Sequence, residues 1–175
     1  VRSFIELIAN QPAAPPAPVE IGENELVALP YSSGTTGLPK GVMITHKNLV
    51  INNIQFVACM RMRESDRLML FLPFYHIYGT MLMGAAVYTG ATCVLMERFE
   101  PVACLELVQR HRVTLFFVVP PVLLMLSNWP ELSKYDLSSL RTTMVGAAPV
   151  APELARRFKQ LTGVPVLQGY GMTEA

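Results

Sequence analysis

Charge is in short supply in this chain. Only 15% of its 175 residues are Asp, Glu, Lys or Arg, and the formal balance is +1 at pH 7. So small an excess of one sign gives no electrostatic footprint for nucleic acid or for an anionic membrane, and neither is expected as a partner. Cysteine is scarce as well. Cys59, Cys93 and Cys104 are odd in number and lack CxxC spacing, so neither a disulfide framework nor a zinc centre is expected. Each stands in an apolar context, where cysteine acts as a small hydrophobe, and a reducing cytoplasm is the simplest compartment. Long apolar runs are missing too. The stretch TLFFVVPPVLLML at 114–126 is 13 residues long and holds Pro120 and Pro121, against roughly 20 apolar residues for a spanning helix. No transmembrane segment is expected. The start of the chain has no signal-peptide cleavage site, and VRSFIELIAN at 1–10 has the spacing of a short amphipathic helix. It also lacks an initiator Met, and we expect the chain to be part of a longer one.

Hydrophobic residues are plentiful, at 51%, and the length suits one domain with a sizeable core. The segment QPAAPPAPV at 11–19 holds four prolines in nine residues, a composition that favours extended polyproline structure over packing. Residues 1–25 therefore read as an N-terminal helix and linker, and 26–175 as the folded unit. Within that unit, strand and helix patterns alternate. Strands are expected at 26–31, 42–45, 68–72, 92–96, 113–118, 141–145 and 164–168. Helices are expected from Thr45 or His46 through Arg61, then at 77–88, 101–111, 121–128 and 151–162. Pro101 and Pro152 stand where a first helical turn tolerates proline, and Gly163 where helices stop. This alternation predicts an α/β fold with a mainly parallel sheet and helices on both faces. Ligands of such sheets gather beyond the carboxyl ends of the strands.

Polar chemistry concentrates at three such junctions: SSGTTGLPKG at 32–41, PFYHIYG at 73–79, and the pair GAAP at 146–149 with GYGMTEA at 169–175. The first junction fails the Walker pattern G-x-x-x-x-G-K-[ST]. Counting from Gly34, Pro39 stands where the second glycine belongs, and Gly41 follows Lys40 in place of Ser or Thr. A Walker loop also opens a helix, whereas VMIT at 42–45 is β-branched and strand-like. The loop nonetheless supplies four hydroxyls, Ser32, Ser33, Thr35 and Thr36, among Gly34 and Gly37, with the charge of Lys40 beside them. Clustered N–H groups and hydroxyls of this kind bind phosphate oxygens. On composition alone a plain Ser/Gly surface loop is an equal reading.

Taken together, the motifs carry more than any one of them. YSSGTTGLPKGV resembles the signature loop of the adenylate-forming enzymes, the superfamily of acyl-CoA synthetases, aryl-CoA ligases, beetle luciferases and peptide-synthetase adenylation domains. LPFYHIYG, GAAP and GYGMTEA are similar to further core motifs of that superfamily, in the same order. The resemblance covers 26–175.

That resemblance implies a two-step ligase. A carboxylate attacks the α-phosphate of ATP to give an acyl-adenylate and pyrophosphate, and the thiol of CoA then displaces AMP. It implies that Ser32, Ser33, Gly34, Thr35, Thr36, Gly37 and Lys40 hold the β- and γ-phosphates. Gly146, Ala147, Ala148 and Pro149 would flank the adenine and Tyr170 would stack on it, with Gly169, Gly171 and Met172 in the same site. Thr173 would contact the α-phosphate, and Glu174 would be the Mg²⁺ ligand. From the residues alone, Thr173 and Glu174 also read as a helix start. His76, with Thr173 and Glu174, is a candidate for the chemistry, since the matching histidine lines the carboxylate pocket in acyl-CoA synthetases. Tyr78, Gly79, Leu82 and Met83, with Gly146 and Gly171, are the expected walls of an apolar acyl pocket.

Peptide-synthetase domains carry an Asp-containing segment at the position of PFYHIYG. No Asp or Glu occurs at 68–96, so an α-amino acid would lack its counter-ion there. The expected substrate is a plain acid, an aryl-propenoate such as 4-coumarate or a fatty acid. The chain ends before the family's ribose-binding aspartate, hinge and lysine-bearing C-terminal domain. We therefore expect this chain alone to be inactive and prone to self-association through uncovered apolar surface. A nucleotide-binding module without catalysis and a luciferase-like enzyme are the alternatives.

Overall fold

The computed structural model describes residues 3–9, 14–15, 17–32 and 37–174. A helix, α1 (Phe4–Ala9), precedes the proline-rich segment, and two small antiparallel ladders follow it. In one, β1 (Leu26–Ala28) pairs with β4 (Ile44–Thr45); in the other, β2 (Tyr31–Ser32) pairs with β3 (Lys40–Gly41). The single strand expected at 26–31 is thus split. Pro30 has no N–H to donate, so one ladder cannot run through it, and its carbonyl instead accepts from Val42 N at 2.9 Å.

The remaining elements build a parallel α/β layer. They are α2 (His46–Met60), β5 (Arg67–Leu70), α3 (Ile77–Thr89), β6 (Thr92–Leu95), α4 (Pro101–His111), β7 (Leu115–Val118), α5 (Pro120–Ser127), β8 (Thr142–Val145), α6 (Pro152–Thr162) and β9 (Val166–Gln168). A short 3₁₀ turn, Leu132–Lys134, precedes β8. Most expected elements recur with ends moved by one or two residues, as fraying ends do. The five strands lie in the order β6-β5-β7-β8-β9, and every pairing is parallel.

Helix ends follow local rules. Thr45 opens α2 with a capping box, its Oγ1 accepting Asn48 N at 3.2 Å while Asn48 Oδ1 accepts Thr45 N at 3.1 Å. Gly90 and Gly163 close α3 and α6 at positive φ. Alternation along the strands then sorts side chains to two faces. Leu68, Leu70, Leu115 and Phe117 pack beneath α2 and α3, with Leu82, Ala85 and Ala86 of α3. Met69, Phe116, Val118 and Val145 pack on the other face with Cys104, Leu105, Leu123, Leu126 and Phe158 of α4 to α6. The apolar central strands β5 and β7 are thereby covered on both sides. Among the described residues no helix is long and apolar enough to cross a membrane.

One polar network closes the amino ends of the central strands. Asp66, 4% exposed, meets Arg141 through two bonds, Nε to Oδ1 at 3.0 Å and Nη2 to Oδ2 at 2.9 Å. It also accepts the Thr114 hydroxyl at 2.7 Å and the Arg63 N–H at 2.8 Å. Arg141 reaches on to the carbonyls of Met60 and Arg61 at the end of α2, groups no intrahelical donor can satisfy. Residues preceding β5, β7 and β8 are so tied at one point. Burial alone would push the Asp66 carboxyl up. The hydrogen bonds from Arg141, Thr114 and Arg63, with the charge of Arg141, outweigh it and hold the group below its ordinary 3.8. A lowered carboxyl contributes its full stability above that ordinary value and loses it as the pH falls through the folded value. We predict that Asp66→Asn lowers the unfolding free energy at pH 7 by about 3 kcal/mol, the scale of breaking a buried pair. Urea titrations between pH 7 and pH 3 should show the mutant losing less stability on acidification than the wild type.

Candidate active site

The strand order places a crevice between β5 and β7. The chain leaves β5 for β6 on one side and returns past it to β7, β8 and β9 on the other. At such a reversal the loops beyond the carboxyl ends part and leave room for a ligand. A cavity of about 190 Å³ lies there, lined by Leu72, Pro73, Tyr75, His76 and Tyr78 after β5, Val119 after β7, and Ala147 after β8.

His76 is the N-cap of α3. Its backbone is extended, and its Nδ1 accepts the Tyr78 N–H at 3.1 Å. A nitrogen that accepts carries no proton, so the ring proton resides on Nε2. The same turn needs a residue without Cβ at 79. A Cβ on Gly79 would stand 2.3 Å from the Pro73 carbonyl oxygen. Tyr78 lies across Gly146, where a Cβ would come within 2.9 Å of Cε1, and its hydroxyl donates to the Met144 carbonyl at 3.4 Å. Burial pushes the phenol well above its ordinary value of 10.0, so it stays a donor.

The hydroxyl-rich loop departs from β2 and returns through β3, where Ser32 pairs with Lys40. Ser33, Gly34, Thr35 and Thr36 lie outside the described residues. Gly37 and Lys40 are exposed. The Ser32 hydroxyl donates to Glu174 Oε1 at 3.2 Å, across 142 positions of sequence. Two separately recognised motifs therefore meet. Among the described residues no group of three or more His, Cys, Asp or Glu side chains could hold a metal ion. One carboxylate beside a hydroxyl fits Mg²⁺ held mainly by substrate phosphates, the usual mode for that ion, and does not fit an all-protein cage.

The remaining expected residues fall unevenly about the cavity. Ala147 lines it, while Ala148 and Pro149 are exposed in the loop leading to α6. Gly169 follows β9, and Tyr170 stands 93% exposed with its hydroxyl toward Met172 Sδ at 3.8 Å. Gly171 is exposed and Thr173 half-buried. Of the expected acyl walls Tyr78 lines this cavity, whereas Gly79, Leu82, Met83, Gly146 and Gly171 do not; Leu82 is fully buried on the core face of α3 and Met83 lies 42% exposed. Leu72, Pro73, Tyr75 and Val119 line it without having been singled out from sequence. The strand-ending prolines at 73 and 120 were the available signal, because they mark where β5 and β7 open into loops.

The sequence profile described as AMP-binding enzyme matches residues 3–175. The chain is 44% identical over 178 residues to 4-coumarate--CoA ligase 1 of Solanum tuberosum, covering 98% of this chain and 32% of that protein. It is 44% identical over 163 residues to 4-coumarate--CoA ligase 3 of Arabidopsis thaliana, covering 90% of this chain and 29% of that one. The chain thus spans about a third of the length of these relatives. Among solved structures, the inhibitor-bound N-terminal domain of FACL13 from Mycobacterium tuberculosis superposes with a TM-score of 0.89 at 30% identity, over 97% of this chain and 42% of that one. The anthranilate CoA ligase AuaEII in complex with anthranoyl-AMP superposes with a TM-score of 0.89 at 29% identity, over 98% and 34%.

The packing at Gly79 gives a prediction whose sign opposes helix propensity. Alanine in the helix would by itself be favoured by about 1 kcal/mol. Gly79→Ala should instead destabilise by about 1–3 kcal/mol, because the obstructing atom is backbone. Gly37→Ala, whose Cβ would meet none of the described residues within 4 Å, should leave the urea midpoint in place.

Proposed function

This chain belongs to the AMP-binding enzyme family, and on that premise we propose that the whole protein carrying it is an AMP-forming acid–thiol ligase. A carboxylate oxygen of the acid attacks the α-phosphorus of ATP, the bond to the β-phosphate bridge breaks, and pyrophosphate leaves. The sulfur of CoA then attacks the acyl carbonyl, the bond to the phosphate oxygen breaks, and AMP leaves with a thioester formed. The observation that carries this reading is the meeting of Ser32 with Glu174, because it joins a hydroxyl-rich loop to a carboxylate in the segment that follows β9.

On that reading each group has a distinct role. Ser32 to Lys40 would hold the β- and γ-phosphates and neutralise the departing pyrophosphate, charge that develops as the bond breaks. Thr173 would donate to an α-phosphate oxygen. Glu174, with Ser32 beside it, would hold Mg²⁺, which supplies positive charge to the phosphates when bound. His76 would offer Nε2–H to a carboxylate oxygen of the acid, its other nitrogen being occupied by the cap. Gly146 to Pro149, with Gly169 to Met172, would surround the adenine, and Tyr170 would turn onto the ring.

The acyl site favours an uncharged tail. Leu72, Pro73 and Val119 stand with the rings of Tyr75 and Tyr78, and among the described residues no carboxylate lines the cavity. We read the substrate as an aryl-propenoate such as 4-coumarate, the acid named in the relatives that match. The likeness to AuaEII, an anthranilate CoA ligase, makes other aromatic acids the second reading, and the apolar lining suits a fatty acid as well. Gly79, Leu82 and Met83 would act from behind the wall, by shaping α3. The three free thiols, two of them exposed, favour a reducing, cytoplasmic setting. Exposed Val87 and Tyr88, at 80% and 58%, favour self-association of the isolated chain.

The test is pyrophosphate release by the whole protein with ATP, Mg²⁺ and a panel of acids. We expect 4-coumarate and its relatives to lead the panel, and Thr173→Ala and Glu174→Ala each to lower release about 100-fold, the scale of losing one charge-stabilising group. Absence of any acid-dependent release across the panel would refute the ligase, and calorimetric binding of ATP would then mark a nucleotide-binding module without chemistry.

A further inference from the structure

The loop after β8 is held in a shape it does not favour. Ala147 has φ 69°, in the left-handed region that residues with a Cβ visit rarely. Such conformers persist where their surroundings over-determine them, and they gather at functional sites. Ala147 lines the cavity. The loop is anchored upstream by the Gly146 N–H, which donates to the Val118 carbonyl at 3.1 Å.

Downstream its anchorage is sparse. Pro149 has no N–H, and Ala151, the N-cap of α6, offers no side-chain cap. Between them the Val150 N–H donates to Gln168 Oε1 at 3.2 Å. Gln168 is the last residue of β9, aligned with Val145 in the parallel ladder, and Gly169 N donates to the Val145 carbonyl at 2.8 Å. The backbone of Gln168 is thus set by β8, and its side chain reaches back to the loop leaving β8.

We propose that Gln168 is a positioning residue. By accepting the Val150 N–H it holds the Ala147 turn in the shape that receives the nucleotide, and it ties together the two loops, 146–150 and 169–174, that flank that site. A neutral amide suits this place, since it accepts a hydrogen bond without setting a charge into the nucleotide site. The proposal rests on the nucleotide reading of the site given above.

The experiment compares the whole protein with Gln168→Met, which keeps the side chain's length and removes the acceptor, and with the double variant Ala147→Gly/Gln168→Met. Glycine takes positive φ freely, so it relieves the turn of its need for a clamp. Deuterium uptake of the peptide containing Val150 should quicken in Gln168→Met. The KM for ATP in acid-dependent pyrophosphate release should rise about fivefold, the factor one ordinary hydrogen bond carries, with kcat changed less. The double variant should recover most of that KM. A merely structural role would lower the melting temperature and leave the KM in place. Unchanged uptake in Gln168→Met, or quicker uptake with an unchanged KM, overturns the proposal. If the wild type itself releases no pyrophosphate, the ligase reading fails, and the uptake arm, which needs no substrate, decides the clamp by itself.

Discussion

One topological constraint governs this structure, the reversal of crossover direction at β5. Crossovers between parallel strands are right-handed almost without exception, so a chain that runs β5 to β6 on one side and then returns to β7, β8 and β9 on the other must place its helices on opposite faces. The two cores follow from that, α2 and α3 over Leu68 and Leu70, and α4 to α6 over Met69 and Phe116. The crevice follows too, since the loops after β5 and β7 diverge at the reversal. His76, Tyr78 and Ala147 become neighbours because of it.

The two ends of the strands differ in character. At the amino ends Asp66, Thr114 and Arg141 form a network in which every contact is satisfied. At the carboxyl ends the backbone is crowded and strained, with Gly79 against the Pro73 carbonyl, Tyr78 across Gly146, and Ala147 at positive φ. A rigid base lets the opposite end carry such conformations without unravelling. Conserving stability at one end and shaping a site at the other is what parallel sheets permit, because all their carboxyl ends point the same way.

Much of this was legible before any coordinates. The α/β alternation, the stop at Gly163, and the proline-initiated helices α4 and α6 depend on neighbours within one turn of chain, and local rules suffice for them. The strand expected at 26–31 failed for a reason equally local, the missing N–H of Pro30, which its apolar neighbours obscured. The motifs carrying Ser32, His76, Gly146 and Glu174 could be picked out because they gather polar residues at strand ends and, taken together, resemble those of the adenylate-forming enzymes. Val119 and Gln168 could not, one being an ordinary apolar residue and the other an ordinary polar one whose importance lies wholly in what it faces.

The sequence by itself determined which segments become strands and helices, which loops bear hydroxyls and carboxylates, and that no acidic residue lies along 68–96. These properties are set by residue type and short spacing. Tertiary structure decided that Ser32 touches Glu174, that the rim of the cavity is Tyr75, Val119 and Ala147 while Leu82 faces the core, and that Gln168 reaches Val150. Those contacts join residues separated by whole elements, and their geometry exists only once strand order and helix face have brought the chain back upon itself.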